Sequence, residues 1–161
     1  MARHIYRCPL RWSDMDAFGH VNNVVFLRYL EEARVDFMFR PAPDGVTSSF
    51  TEGTVVARHE IDYVRPLVHR HEPVTVETWV TRIRSAAVTL SYEVKDYAAG
   101  EPAVEGGERP DVLYARASTV IVPYDLDAKR PRRLTADELA FLEGFLDGRD
   151  EGREKSRALV A

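Results

Sequence analysis

Hydrophobic and polar positions recur along the chain with two periods, and the switches between them outline the elements. From His4 to Trp12 the positions Tyr6, Cys8, Leu10 and Trp12 share one side, the period of a strand, and Pro9 puts that strand at an edge or a bulge. A short polar loop, Ser13 to Gly19, follows. From Val21 to about Phe39 the period becomes helical. Phe26, Leu30, Ala33 and Phe37 fall on one face, and Arg28, Glu31, Glu32 and Asp36 on the other. Val25, Leu27, Tyr29, Val35 and Met38 widen the apolar stripe, so a long, largely buried helix is predicted, ended by Pro41 and Pro43.

Beyond it the period returns to two. Val55, Ala57, His59, Ile61 and Tyr63 are expected on one face of a strand. Val74, Val76, Thr78 and Val80 form the next run, then Val88, Leu90, Tyr92 and Val94, then the nearly all apolar or small stretch from Val112 to Val122. Ala98 to Pro110, rich in Gly, Glu and Pro, reads as a long loop, and Arg40 to Gly53 as a connector. Thr135-Ala136-Asp137-Glu138 has the capping-box pattern and opens a short helix through Leu139, Leu142 and Phe145. The order is strand, long helix, four strands, short helix. Consecutive strands with mostly short connections favour an antiparallel sheet, and one long helix is buried only if that sheet curls around it. The expectation is an α+β domain over 1–147, its core about 4–124, with a charged tail at 148–161.

Composition narrows the function. A chain of 161 residues has room for one core. The net charge of −4 and the lack of a basic stripe argue against nucleic acid, and no run is apolar enough for a membrane span. No signal-peptide pattern opens the chain, and a single cysteine, Cys8, allows neither an internal disulfide nor a Cys-rich metal site, so a cytoplasmic protein is expected. Cys8 shares the apolar face of the first strand, which favours a buried thiol over a nucleophile.

The densest polar cluster stands at the mouth of the long helix: Asp14, Asp16, His20, Asn22 and Asn23. Each member has a structural alternative. Asp14 or Asp16 suits an Asx-turn, Asn22 or Asn23 an N-cap, Gly19 a positive φ, and His20 a hydrogen-bonded loop histidine. Capping needs one Asn, however, and five polar groups gather here.

The run Arg11-Trp12-Ser13-Asp14-Met15-Asp16-Ala17-Phe18-Gly19-His20-Val21-Asn22-Asn23, followed by Phe26-Leu27-Arg28-Tyr29-Leu30-Glu31-Glu32-Ala33-Arg34, resembles the hotdog-fold acyl-CoA thioesterases. The likeness is to the 4-hydroxybenzoyl-CoA thioesterase group and its D-x-D-x-x-G-H-V-N-N branch. Glu60-Ile61-Asp62-Tyr63-Val64-Arg65-Pro66-Leu67 is similar to that family's second strand, and the resemblance covers roughly Tyr6 to Tyr124. It implies a five-stranded antiparallel sheet wrapped around one long helix, in a homodimer or tetramer paired through its sheet edge with the site at the subunit boundary. It also implies that Asp16 is the catalytic carboxylate, as nucleophile or general base, and that the backbone N–H near Asn23 polarises the thioester carbonyl. His20 joins the catalytic group by positioning the loop or the water rather than as nucleophile, and Asn22 and Gly19 bind substrate; Asp14, by its own chemistry, reads as a structural turn former. The substrate is an acyl-CoA or acyl-carrier-protein thioester, and coenzyme A is part of it. No further cofactor is expected, since hydrolysis needs water alone. A thiolate leaves with a reference pKa of about 8.5, so one carboxylate suffices.

Arg82 and Arg84, near the turn between two strands, are candidate contacts to the CoA phosphates, with a solvated surface pair as the alternative; Arg65, Arg130, Arg132 and Arg133 are weaker candidates. His69 and His71 form a His-x-His pair with only Glu72 nearby, between Pro66 and Pro73, and no metal site is expected there. Arg28 and Glu32 suit an i,i+4 pair. Two other functions stay open. Hotdog enoyl-CoA hydratases or dehydratases pair an Asp or Glu with a His, and some carry an Asp-x-Asn-Pro-x-His pattern; here Asp16 and His20 are four apart and the Asn-Pro is missing. A non-catalytic acyl-CoA-binding module is the other.

Overall fold

The computed structural model describes residues 2–42, 50, 53–97 and 112–147. Along these, β1 (His4–Cys8), α1 (Asn23–Phe39), β2 (Thr54–Tyr63), β3 (Val74–Arg84), β4 (Ala87–Lys95), β5 (Leu113–Asp125), β6 (Arg130–Pro131) and α2 (Ala136–Glu143) follow one another, with a 3-10 turn at Trp12–Asp14. The sheet runs β1-β3-β4-β5-β2, all antiparallel, and two-residue β6 pairs with β5. This is the expected α+β architecture, a long helix held in an antiparallel sheet with a short C-terminal helix. Chain order and sheet order part company at β2, which lies at one edge while β3 starts beside the other. Residues 64–73, kept irregular by Pro66 and Pro73, make that crossing.

Phe26, Leu30, Ala33 and Phe37 of α1 are buried as their spacing requires, against Val76, Val80, Leu90, Tyr92 and Val94 of the inward sheet face. Phe37 also stacks on Phe141 and Phe145 of the C-terminal segment, at ring distances of 5.3 and 4.9 Å. The capping box forms as predicted: Thr135 Oγ1 accepts from Glu138 N, and the Glu138 carboxylate accepts from Thr135 N. Because β1 covers β3 only as far as Thr78, the chain after α2 takes over that edge: Val80 N–H donates to Phe145 and Asp147 N–H to Val80.

Several expectations change. β1 ends at Cys8, since Pro9 has no N–H to donate, and Trp12 sits in the 3-10 turn, 74% exposed. Helix α1 begins at Asn23; Val21 instead bridges Met15 and donates to the Leu67 carbonyl at 2.7 Å. A bulge at Ala57 breaks the alternation of β2. Val56 pairs with Ile121 and Arg58 with Val120, so Val56, His59, Ile61 and Tyr63 share the helix side and Val55 faces the other way. Among the described residues Arg28 does not pair with Glu32; α1 carries Arg34–Glu31 and Arg40–Asp36 instead. The Ala98 to Pro110 loop, the 148–161 tail and most of the Arg40 to Gly53 connector lie outside the described residues. Among the described residues no helix is long and apolar enough to cross a membrane.

Candidate active site

The loop before α1 is anchored from beneath by Asp14, which is buried. Its Oδ2 accepts from Arg11 N at 2.9 Å and from the Tyr29 hydroxyl at 2.6 Å, and its carbonyl accepts from Asn22 N. Burial first, then this hydrogen bond to a carboxylate, pushes the Tyr29 hydroxyl well above its ordinary pKa and keeps it a donor. Asp14 therefore has the structural role expected of it, though its main partner is a helix side chain that pattern alone classed as apolar.

Two residues on, Asp16 is half-buried and held differently. Its Oδ1 accepts from Phe18 N at 2.9 Å in an Asx-turn, and Oδ2 accepts from Asn22 Nδ2 at 3.1 Å. The turn closes through Asp16 N to His20 O and Gly19 N to Asp16 O, with Gly19 at φ +77°, the left-handed region glycine tolerates. Asn22 links this carboxylate to the helix. It is the N-cap of α1, its Oδ1 accepting from Val24 N at 2.9 Å, and its carbonyl accepts from Val25 N. The Asn23 N–H, by contrast, has no acceptor among the described residues, at the positive end of a seventeen-residue helix. The Tyr63 hydroxyl donates to the Asn23 carbonyl at 2.8 Å and fixes β2 to this corner. A negatively polarising oxygen is the group such a corner stabilises.

Asp16, Gly19, His20, Asn22 and Asn23 are thus gathered at one end of α1, with His20 exposed and its ring free of hydrogen bonds among the described residues. Arg82 and Arg84 are not brought to them. They lie at the β3–β4 hairpin, roughly 30 Å along β3 from Val74, which is the end nearest the loop. Arg132 is no candidate for phosphate: both terminal nitrogens grip fully buried Glu138, at 2.9 and 2.8 Å. Cys8 is buried and its thiol is pushed up to about 12, chiefly by burial and then by Asp14, so it is inert. His69 and His71 face each other edge-on at 5.8 Å in the irregular segment, with Trp12 against His69 at 5.5 Å.

Sequence reasoning missed a second polar group further along α1. Arg34, buried, lies on the side of the helix toward β2 and meets exposed Glu31 at 3.8 Å. Near it are Tyr92 of β4 and exposed His59 of β2, with fully buried Thr119 of β5 beside both; Tyr92 is itself fully buried, and His59 Nδ1 is 2.9 Å from Thr119 Oγ1. Arg34 and Thr119 both draw the Tyr92 hydroxyl toward ionisation, and burial outweighs them and raises it. Neither contact has hydrogen-bond geometry: Arg34 Nη1 and Tyr92 Oη are buried without hydrogen-bond partners among the described residues. Tyr92 reads as a core aromatic on an alternating strand, and only an arginine within a helical stripe hints at the cluster.

A long helix wrapped by an antiparallel sheet is the hotdog fold, and the Asp16 carboxylate stands beside the N-terminus of that helix. The chain belongs to the thioesterase-like superfamily, whose model matches residues 10–142. It is similar to the uncharacterized protein YsmA of Bacillus subtilis, 30% identical over 100 residues; the match takes in 62% of this chain and 65% of that protein's length. Among solved structures it is similar to PA2801 of Pseudomonas aeruginosa, whose assignment as a thioesterase is provisional: 28% identity, TM-score 0.69, 85% of this chain and 95% of that one. A thioesterase from Thermus thermophilus, solved with coenzyme A and zinc, matches at 26% identity and TM-score 0.67, over 88% and 92% of the two chains. YbaW of Escherichia coli, at 23% identity and TM-score 0.70 over 89% and 99%, shares the fold.

Proposed function

We propose that the protein hydrolyses acyl-CoA or acyl-carrier-protein thioesters, water and thioester giving a free acid and a thiol. The proposal extends to the 4-hydroxybenzoyl-CoA thioesterase-like branch carrying D-x-D-x-x-G-H-V-N-N. The observation that carries it is the link Asp16–Asn22–Asn23: a half-buried carboxylate hydrogen-bonded to the N-cap residue, beside an amide with no acceptor among the described residues. That amide receives the thioester carbonyl oxygen and the developing oxyanion. Asp16, its two oxygens oriented by Phe18 N and Asn22, attacks the carbonyl carbon or takes a proton from the attacking water. The thiolate leaves without a strong acid. His20, Asn22 and Gly19 shape the loop. Coenzyme A as the thiol is supported by its presence in the Thermus thermophilus relative.

Residues 1–147 act as one domain in this reading, in a homodimer or tetramer. Support comes from β2, an edge strand exposed along nearly its whole length, which a second copy would cover. Antiparallel pairing of two such edges turns the partner's β3–β4 hairpin toward this protomer's Asp16 end, which is how Arg82 and Arg84 would serve CoA phosphates. A reducing compartment, the cytoplasm, suits the one buried, unpaired thiol.

The test is free-thiol release over a panel of acyl-CoA esters, with Asp16→Asn alongside. Thiol release by the wild type and its collapse in the variant are expected. A variant as fast as wild type overturns the role of Asp16, and hydration of crotonyl-CoA without thiol release overturns the reaction.

A further inference from the structure

Arg34 is a charge whose position calls for explanation. A guanidinium carries five donors and is rarely buried unless they are matched, yet here Nη1 has no hydrogen-bond partner among the described residues, and the carboxylate Arg34 meets, Glu31, is 3.8 Å away and exposed. Tyr92 adds a second buried, unpartnered polar atom beside it. An orphaned donor costs stability, and two in one place point to a site shaped for a group the protein does not itself supply.

The register shows how such a group would arrive. Arg34 stands eleven residues after Asn23, three turns on the same side of α1, about 16 Å along the axis. Below this side, three rows cross the inward sheet face. Tyr63 pairs with Ala115, Ile61 with Ala117 and His59 with Thr119. Tyr63 is fastened to Asn23 at one end, and Arg34 bears on His59 at the other. Between them β5 contributes only alanine, where neighbouring β4 carries Val94 and Tyr92. Leu27 and Ile61 line the seam, and both are only partly buried. The seam is apolar and small-floored; among the described residues an amide lacks an acceptor at one end, and Arg34 Nη1 and the Tyr92 hydroxyl lack hydrogen-bond partners at the other.

We infer that this seam receives the acyl chain and that Arg34 and Tyr92 read a carboxylate at its far end, selecting thioesters of dicarboxylic acids. The inference rests on the thioesterase reading for the near end of the chain. The carboxylate accepts from Arg34 Nη1 and the Tyr92 hydroxyl, filling both donors, and its charge offsets that of the guanidinium. A methyl-ended chain leaves them unmatched.

The test compares dodecanedioyl-CoA with dodecanoyl-CoA, of equal carbon count and matching reach. The expected result is kcat/KM at least about tenfold higher for the dicarboxylic ester, the scale of one charged hydrogen bond. Arg34→Met brings the ratio close to one, and Tyr92→Phe, a milder change, lowers it by about threefold. Thermal denaturation of Arg34→Met accompanies the kinetics. If the wild type shows no preference, or if Arg34→Met leaves the ratio intact while lowering stability or dissociating the assembly, the guanidinium serves packing or a subunit contact and the inference fails. Failure of both esters to release thiol overturns the thioesterase reading instead. In that case the free acids decide this one: dodecanedioate should raise the melting temperature above dodecanoate in wild type but not in Arg34→Met, and equal shifts overturn it.

Discussion

Toward β1, the side chains of α1 close on partners. Tyr29 donates to Asp14, and Asp36 takes His4 at 2.7 Å and Arg40 at 2.9 Å. Toward β2, the same helix leaves the Asn23 N–H, Arg34 Nη1 and the neighbouring Tyr92 hydroxyl without partners among the described residues, and the strand beyond is exposed. Asp14 and Asp16, two residues apart, divide in the same way: one is sealed between a backbone amide and a tyrosine, the other stands half-buried beside the open flank. Unmatched donors would cost stability with no return if that flank had nothing to bind. The closed flank holds the helix in place so that the open one can stay unsatisfied.

Substitutions that respect this division separate activity from stability. Asp16→Asn is expected to lower kcat for thioester hydrolysis by roughly 10²–10⁴-fold, the range of a lost catalytic carboxylate, while the one acceptor it loses toward Asn22 lowers the melting temperature less than Asp14→Ala does. Asp14→Ala should act first on stability: it strands the Tyr29 hydroxyl and costs about 2–3 kcal/mol in urea unfolding. A stable Asp14→Ala that has lost all activity would erase the contrast. On the open side, Val56→Asp puts a charge on the helix-facing side of the exposed edge strand. If two protomers pair through β2 as proposed, light scattering should show that dimer weakened by tenfold or more, about 1.4 kcal/mol, with the protomer still folded.

The smallest effect concerns pH. Burial holds the His4 pKa below its ordinary value against the pull of Asp36, and burial with Arg34 does the same to His59. In both, the unfolded chain binds the proton more readily. Their contribution is complete above the ordinary histidine pKa of about 6.5 and is lost as pH falls through and below it. Melting temperatures should fall from about pH 7.5 to about pH 5.5, either side of that value, and His4→Asn should flatten part of the slope.

Much of this was legible from pattern. The α1 stripe, the Thr135–Glu138 box and the polar run at Asp16 all depend on neighbours within a few residues, where spacing decides geometry. What pattern misread depended on distant partners. Tyr29 counted as apolar until Asp14 met its hydroxyl, and Val55 exchanged faces with Val56 because a bulge opposite Ile121 shifted the register. Arg132 was a candidate for phosphate until Glu138 claimed both its nitrogens. Arg82 and Arg84 were close to the site in no sense that sequence could measure.

By itself, then, the sequence determined that one long helix would be enclosed by an antiparallel sheet and that its mouth would carry a carboxylate next to a cap. Local hydrogen bonds and hydrophobic period act over a few residues and can be read in order. Only the tertiary structure decided that the helix has a closed flank and an open one. That difference arises where β2, β4, β5 and α1 meet, far apart in the chain, and whether a buried donor finds an acceptor is known only when all the surrounding strands are in place.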